Sequence, residues 1–179
     1  MNLDEQIGRL SALMHDLLEY GKPPELHITV APLEAATLDA IIHTAQRAQN
    51  EGIAVDNQFP AGLGSVLMDH ARLSRALGNL LENAIHHSPS GSRVVIRGGK
   101  SVRAAHTWIW CSIEDAGPGF GGSDPSKIFE PFFSKRPGGT GLGLSIVQRT
   151  IEAHGGRITA GNAEGGGARM TIELPRLEY

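Results

Sequence analysis

The hydrophobic positions near the N-terminus follow a helical repeat. Within residues 3–18, apolar side chains recur at alternating spacings of four and three, which is typical of the seam of a helical bundle or coiled coil. The seam residues are Leu3, Ile7, Leu10, Met14 and Leu17. Two heptads are too short to be stable alone, so the stripe predicts a packing partner, which is either another helix or the chain's own domain. Gly21, Pro23 and Pro24 predict the end of this helix and a stiff linker.

Between residues 25 and 87 the pattern changes from strand-like to helical periods and back. The predicted elements are a strand at 25–30, a helix at 33–50, strands at 53–59 and 65–68, and a helix at 69–87. The first strand is expected to place Leu26, Ile28 and Val30 on one face. The helix at 33–50 is expected to bury Leu38, Ile41, Ile42 and Ala45. The helix at 69–87, which begins at Asp69, is expected to bury Leu73, Leu77, Leu80, Leu81 and Ala84.

The second half of the chain predicts strands and a helix around one long loop. The predicted elements are strands at 93–98 and 107–114, a helix at 142–154, and strands at 157–160 and 168–174. The first two strands are expected to pair as neighbours. The connection at 115–141 is too long for a simple turn, and loops of this length are usually functional lids or disordered. This order predicts an α/β fold, a two-layer sandwich of a mixed sheet covered on one face by helices.

Composition limits the classes of protein that this chain can represent. Its 179 residues fit a main domain at 23–179 after a helix end and linker at 1–22. With 16 basic and 19 acidic residues the formal charge is −3, so no nucleic acid and no direct membrane contact are expected. The single Cys111 excludes an internal disulfide and predicts a reducing, cytoplasmic location, with membrane attachment of a longer parent left open. No apolar run approaches the roughly 20 residues of a membrane span.

The helix at 69–87 carries a polar stripe beside its apolar one. The stripe consists of Asn79, Glu82, Asn83 and His86 at spacings of three and four. Asparagine is a poor helix former, so two asparagines one turn apart indicate a use for their carboxamides. A carboxamide oxygen suits Mg²⁺, which takes one or two protein oxygens together with substrate phosphates. The alternative is a solvated polar face.

A carboxylate and two glycines follow the predicted strand 107–114. In Asp115-Ala116-Gly117-Pro118-Gly119 the carboxylate can accept a hydrogen bond from an exocyclic amine. The glycines let the backbone approach a planar ring closely. Taken alone, the segment also fits an ordinary turn, as does Gly165-Gly166-Gly167 between the last two strands.

A glycine-rich segment opens the helix at 142–154. It reads Gly138-Gly139-Thr140-Gly141-Leu142-Gly143-Leu144-Ser145. The free amides and the macrodipole at a helix N-terminus favour an anion, so polyphosphate is the natural ligand. The segment is neither a Walker A loop nor a Rossmann fingerprint, because it lacks Gly-Lys-Ser/Thr and no strand directly precedes it.

Together with Phe129-Glu130-Pro131-Phe132-Phe133, these segments resemble the catalytic, ATP-binding domain of two-component sensor histidine kinases. Residues 79–83 match the N box, 115–119 the G1 box, 129–133 the F box and 139–143 the G2 box, in the family's order. The resemblance covers residues 25 to 175 approximately. It implies a Bergerat-type (GHKL) α/β sandwich.

The resemblance also implies roles for individual residues. Asp115 would bind the adenine amine of ATP, and Asn83 with Asn79 would hold Mg²⁺ against the triphosphate. The other implied nucleotide-binding residues are His86, Gly117, Gly119, Phe120, Phe132, Lys135, Arg136, Gly139, Thr140, Gly141, Leu142, Gly143 and Leu144. The implied catalytic residues are Asn79, Glu82, Asn83 and Lys135. Residues 121–138 would form an ATP lid that Phe132 and Phe133 anchor.

The implied activity is transfer of the γ-phosphoryl group of Mg-ATP to a histidine on dimerisation helices outside this chain, for relay to a response-regulator aspartate. The N-terminal helix resembles the end of the second dimerisation helix, so a homodimer through residues 3–18 is possible. His15 is not expected to be the acceptor, because it lies one place after the seam residue Met14 and no Arg-Thr-Pro follows.

One departure from the family's sequence pattern and three alternative functions remain open. The family often has Lys or Arg followed by an aromatic residue where this chain has His86 and His87, and a neutral His86 would bind phosphate less firmly. The alternatives are a serine kinase or ATPase on the same fold, a pseudokinase that only binds, and a structural domain without nucleotide. The Phe-x-Pro-Phe-Phe segment and the bundle helix favour the histidine kinase, and Asn83 with Asp115 argues against a pseudokinase.

Overall fold

The structure, a computed structural model, describes residues 25–134 and 139–178 together with individual positions before them. Those positions, all helical, are Leu10, Ser11, Leu13, Met14, Leu17, Leu18 and Gly21. The predictions for Leu3, Ile7, His15, Lys135 and Arg136 fall outside the described residues.

The elements alternate between strands and helices, as the hydrophobic pattern predicts. In chain order they are β1 (Thr29–Pro32), α1 (Leu33–Glu51), β2 (Ala54–Gln58), β3 (Ser65–Met68), α2 (His70–His87), β4 (Arg93–Arg103), β5 (His106–Glu114), a 3₁₀ helix (Pro125–Phe129), α3 (Gly143–Ala153), β6 (Arg157–Asn162) and β7 (Ala168–Pro175). The 3₁₀ helix lies within the long predicted loop.

Five of the strands form one mixed sheet in the order β2-β4-β5-β7-β6. β2 runs parallel to β4, and the other neighbours are antiparallel. The predicted pairing of β4 with β5 is confirmed, with Ile96 opposite Ile113. β4 runs past its predicted end at residue 98, because the two strands stay paired as far as Arg103 and His106.

The core lies between one face of this sheet and the helices. Ile96 and Ile113 are fully buried there and belong to one cluster with Leu77 and Leu81 of α2. The opposite face is polar, and Glu114 on it pairs with Arg97 and Arg169. The predicted two-layer sandwich with helices on one face is therefore confirmed.

α1 does not bury the residues that the sequence predicts. Leu38, Ile42 and Ala45 are exposed and Ile41 is half-buried. The buried residues are Leu33, Ala36, Thr37, Ala40, Thr44 and Ala48. Small side chains let the helix approach its neighbours closely, and both threonine hydroxyls donate to backbone carbonyls of α1 itself. A buried threonine is tolerated once its hydroxyl is hydrogen-bonded.

The first strand is also shifted from its prediction. β1 begins at Thr29 and pairs only with β3, in a separate two-stranded sheet. Val30 lies opposite the exposed Leu67, whereas Ala31 lies opposite the buried Val66. Val30 therefore lies on the outer face, since neighbouring residues of a strand point to opposite faces.

Candidate functional site

The polar stripe of α2 lies beside a buried face that is apolar except for Ser74. The residues predicted to be buried are so: Leu73, Leu77, Leu80, Leu81 and Ala84. Asn79 and Asn83 are half-buried, and His86 is exposed. Glu82 is exposed as well, and its carboxylate accepts a hydrogen bond from Arg47 of α1 at 3.2 Å.

Asp115 directly follows β5, and the backbone holds one of its carboxylate oxygens. Asp115 Oδ1 accepts hydrogen bonds from the N–H groups of Gly117 and Ala168, both at 2.9 Å. The Asp115 N–H donates to the Ala168 carbonyl at 2.9 Å. Asp115 Oδ2 has no hydrogen-bond partner within the described residues. The carboxylate is thus oriented by the protein and retains one oxygen that can accept from a ligand.

Gly117 lets the Asp115 turn pass close to the end of α2. A Cβ at Gly117 would lie 2.6 Å from the carbonyl oxygen of His87. The Ala116 N–H donates to the Ser88 hydroxyl at 3.2 Å. The structure therefore brings the predicted Asp115 turn to the end of the helix that bears the two asparagines.

Gly167 and Asn162 support the other side of this turn, although the sequence analysis did not assign them to the site. Gly167 has a φ of +85°, and a Cβ there would lie 2.0 Å from the carbonyl oxygen of Asp115. Asn162 Oδ1 accepts a hydrogen bond from the Phe120 N–H at 2.8 Å, and a Cβ at Gly119 would lie 2.7 Å from the same oxygen. The glycine run at 165–167 was an available signal, but such runs also occur in ordinary hairpin turns.

α3 begins without a side-chain cap. Leu142, at the cap position, is fully buried and offers no acceptor. The Leu142 N–H bonds to the Thr140 hydroxyl oxygen at 3.4 Å. The first N–H groups of a helix have no partner within the helix, and together with the macrodipole they favour an anion. The start of α3 therefore suits a phosphate, as the glycine-rich segment predicts.

Gly141 brings the segment before α3 against Phe132. Gly141 has a φ of +69°, and a Cβ there would lie 2.4 Å from the carbonyl carbon of Phe132. Phe132 is 65% exposed, so it is not packed into the core, and its role as an anchor of the lid stays a prediction. Phe129, in the 3₁₀ helix, occupies the buried position instead, and Phe133 is half-buried. Phe132 also has a positive φ of 65°, which is unusual for a bulky residue.

The other residues predicted to bind nucleotide lie just after the Asp115 turn and around the start of α3. Gly139 is exposed just before Thr140, and Gly143 and Leu144 begin α3. Leu144 and Phe120 are partly buried against the core.

In the part of the chain that the structure describes, no helix is both long and apolar enough to cross a membrane.

Comparison with known proteins identifies the family. Residues 68–178 match the family described as histidine kinase-, DNA gyrase B-, and HSP90-like ATPase. The chain is 32% identical to the alginate biosynthesis sensor protein KinB of Pseudomonas aeruginosa, over 97% of this chain and 29% of KinB. It is 35% identical to the sensor protein SphS of Synechococcus elongatus, over 94% of this chain and 44% of SphS.

Solved structures share the fold. Full-length ShkA in complex with AMPPNP matches with a TM-score of 0.80 at 28% identity, over 95% of this chain and 36% of ShkA. The histidine kinase ThkA in complex with the response regulator protein TrrA matches with a TM-score of 0.80 at 25% identity, over 97% of this chain and 49% of ThkA.

The chain therefore belongs to the histidine kinase-, DNA gyrase B-, and HSP90-like ATPase family. Within that family it is a catalytic, ATP-binding domain of the sensor histidine kinase type. It spans 29% to 46% of the length of curated relatives such as KinB and the SasA kinase of Synechococcus.

Proposed function

We propose that this chain binds Mg-ATP and acts as the kinase domain of a longer cytoplasmic or membrane-attached sensor histidine kinase. The observation that carries the proposal is Asp115, whose Oδ1 is held by two backbone N–H groups while Oδ2 is left to accept from a ligand. The exocyclic amine of adenine is a donor of the required kind. The absence of a Cβ at Gly117 and Gly119 lets this turn lie close to the His87 carbonyl and to Asn162, which supports the position in which the turn holds Asp115.

Asn83 and Asn79 would hold Mg²⁺ between α2 and the phosphates of the nucleotide. Both carboxamides are half-buried, one turn apart, on the helix whose end meets the Asp115 turn. Mg²⁺ typically binds few protein oxygens and completes its shell with water and phosphate oxygens. The proposed cations for the phosphates are Lys135 and Arg136, with His86 as a further hydrogen-bonding group. The uncapped start of α3 at Gly143, with Gly139 and Gly141 before it, would receive the phosphates themselves.

Bound Mg-ATP supplies the phosphoryl group, and the residues of this chain would bind, orient and neutralise it. Phosphoryl transfer depends mainly on positioning and charge neutralisation, so the chain needs no nucleophile of its own. Of the residues proposed to be catalytic, Asn79, Asn83 and Lys135 would act on the phosphates. Glu82, the fourth of these residues, accepts a hydrogen bond from Arg47 through Oε2.

The proposed partners follow from the helix at the N-terminus. Its seam residues Leu10, Met14 and Leu17 are 61%, 54% and 41% exposed. An exposed apolar stripe on a helix favours burial against other helices. We propose that residues 3–18 join the dimerisation helices of the parent kinase, which carry the acceptor histidine, and support a homodimer. A response regulator would receive the phosphoryl group from that histidine, as the relative ThkA binds the regulator TrrA.

The first experiment replaces Asp115 by Asn and measures Mg-ATP affinity by calorimetry. In Asp115→Asn the Oδ1 acceptor for Gly117 and Ala168 remains, but an NH₂ group replaces Oδ2 and cannot accept from adenine. The dissociation constant should rise by about tenfold or more with an unchanged melting temperature. Asp56→Asn, on the edge strand β2, is the control and should bind as the wild type does. Retained affinity in Asp115→Asn would refute the site.

The second experiment separates a kinase from an ATPase. The chain and Mg-ATP are incubated with a separate fragment that carries a dimerisation-helix histidine. Acid-labile, alkali-stable phosphate on the fragment is expected for a histidine kinase. Free phosphate without labelling of the fragment would instead indicate an ATPase of the same fold.

A further inference from the structure

Asp69 and His154 meet in a buried contact between the start of α2 and the end of α3. The Asp69 N–H donates to His154 Nε2 at 2.9 Å. Asp69 Oδ1 accepts from the Arg72 N–H at 3.0 Å and caps α2, and Oδ2 accepts from the His27 N–H at 2.9 Å. Asp69 and His154 are only 5% and 7% exposed. The side chains of Asp69 and His154, the Asp69 N–H and the His27 N–H are together termed the Asp69 junction.

The partners of His154 determine which ring nitrogen carries the proton. Nδ1 lies 2.7 Å from the carbonyl oxygen of Thr150, which can only accept. Nε2 faces the Asp69 N–H, which can only donate. His154 is therefore neutral with its proton on Nδ1, and both of its nitrogens are used. Nδ1 fixes the ring to α3 itself, and Nε2 links α3 to Asp69.

The Asp69 junction joins the start of α2 to the end of α3, the two helices that bear the candidate site. α2 begins where α3 ends, and the helices pack against each other in opposite directions. At 1.5 Å per residue, Asn79 lies about 15 Å along α2 from Asp69, and Gly143 lies about 16 Å along α3 from His154. A shift of α3 along α2 would change the spacing between the start of α3 and the asparagines by the same amount.

We propose that Asp69 and His154 are positioning residues of the nucleotide site, which set the spacing between the start of α3 and Asn79 and Asn83. This inference rests on the proposed Mg-ATP site. The spacing between the start of α3 and the two asparagines affects how the phosphates and Mg²⁺ are bound. The Asp115 carboxylate, in contrast, is held by the N–H groups of Gly117 and Ala168. Loss of the junction should therefore weaken binding of the triphosphate without weakening binding of the adenine.

Two amide substitutions of His154 test this inference as a matched pair. The amide of Asn places its nitrogen near the position of Nδ1, so His154→Asn keeps a donor for Thr150 but loses the acceptor for Asp69. The longer Gln side chain reaches the position of Nε2, so His154→Gln can keep the acceptor. Both variants remove the ring at the same site. The variants differ in which hydrogen bond can survive, the one to Thr150 in His154→Asn or the one to Asp69 in His154→Gln, and in one methylene group.

The measurement is the affinity for Mg-ATP by calorimetry and for adenosine by chemical-shift titration, at a temperature where circular dichroism shows both variants folded. His154→Asn should bind Mg-ATP about fivefold more weakly or worse and adenosine as the wild type does. His154→Gln should recover most of the Mg-ATP affinity. Equal behaviour of the two variants, or parallel losses for both ligands, would overturn the inference. A wild-type chain that binds neither ligand would instead refute the proposed function itself.

Amide exchange in the wild-type chain gives a second test that needs no variant. If the junction favours the nucleotide-binding spacing, bound nucleotide must favour the junction to the same extent, because coupling is reciprocal. Saturating Mg-ATP should slow exchange of the Asp69 N–H more than that of Ile109 in the central strand β5, which reports stabilisation of the whole domain. Equal slowing of the two amides would contradict the inference even if neither variant folds.

Discussion

Asp69 and Asp115 occupy similar places in the chain, but their carboxylates are used differently. Each directly follows a strand, β3 or β5, and each accepts hydrogen bonds from backbone N–H groups. In Asp69 both oxygens are used, by Arg72 and His27. In Asp115 both donors converge on Oδ1, and Oδ2 is left without a partner in the described residues. The carboxylate with one unsatisfied oxygen can therefore bind a ligand, whereas the fully satisfied one serves the fold.

The surroundings of Asp69 agree with a structural use. Burial raises the pKa of its carboxyl group, but the backbone hydrogen bonds from His27 and Arg72 and the nearby charge of Arg72 outweigh burial. The pKa of Asp69 is therefore lowered from its ordinary value of 3.8. The folded state holds this side chain in its ionised form.

The largest effect is expected at the glycine that supports Asp115. Gly167→Ala adds a Cβ at a φ of +85°, 2.0 Å from the Asp115 carbonyl oxygen. The backbone strain alone should cost about 2 kcal/mol, and the displaced turn should also lose Mg-ATP affinity. Gly165→Ala is the matched control, since nothing lies within 4 Å of its Cβ position. Urea unfolding and calorimetry measure the two effects, and equal results for the two variants would contradict this account of the turn.

The next effect distinguishes the two aspartates directly. Asp69→Asn replaces one acceptor oxygen with a donor that faces a buried N–H, and this should lower the free energy of unfolding by about 1–2 kcal/mol. Asp115→Asn keeps its shared acceptor and should leave that free energy nearly unchanged while it loses ATP binding. Urea titrations of both variants provide the comparison. A similar loss of unfolding free energy in both variants would show that the two carboxylates contribute equally to stability, despite the unpartnered Oδ2 of Asp115.

A smaller effect on stability is expected on the phosphate side of the site. Gly141→Ala would place a Cβ 2.4 Å from the Phe132 backbone, at a φ of +69°. Because Phe132 is exposed, its segment can move, so the main loss should be a severalfold weaker Mg-ATP affinity. Gly165→Ala, with no atom within 4 Å of its Cβ position, again serves as the control and should bind as the wild type does. Calorimetry of the pair measures the two affinities, and an equal or greater loss in Gly165→Ala would contradict this prediction.

The smallest effect is the dependence of stability on acid. Because the pKa of Asp69 is lowered in the folded state, its contribution is present above the unfolded value and is lost as the pH falls through the folded one. Stability should therefore still be falling below pH 3.8. Urea midpoints at a series of pH values from neutral to about 2.5 should show a shallower decline for Asp69→Asn than for the wild type. Identical slopes would refute the role of Asp69 ionisation.

The two longer helices show why only part of the fold was predictable. α2 buries large aliphatic residues such as Leu73 and Leu80 at helical spacing, so its inner face was predicted correctly. α1 buries mostly Ala and Thr and exposes Ile42, so an analysis that places the largest apolar side chains inside assigns the wrong face. Propensity and periodicity describe one helix at a time. Which face is covered depends on how closely its neighbours approach.

The order of the elements, the family motifs and the position of Asp115, Asn79 and Asn83 within them can be derived from local spacing in the chain. The groups that complete the candidate site depend instead on tertiary packing. Ala168, which holds Asp115 Oδ1, lies 53 residues further along the chain, and His154 lies 85 residues from Asp69. Backbone amides and a lone histidine carry no pattern in a sequence, and their partners exist only once the sheet and helices have packed.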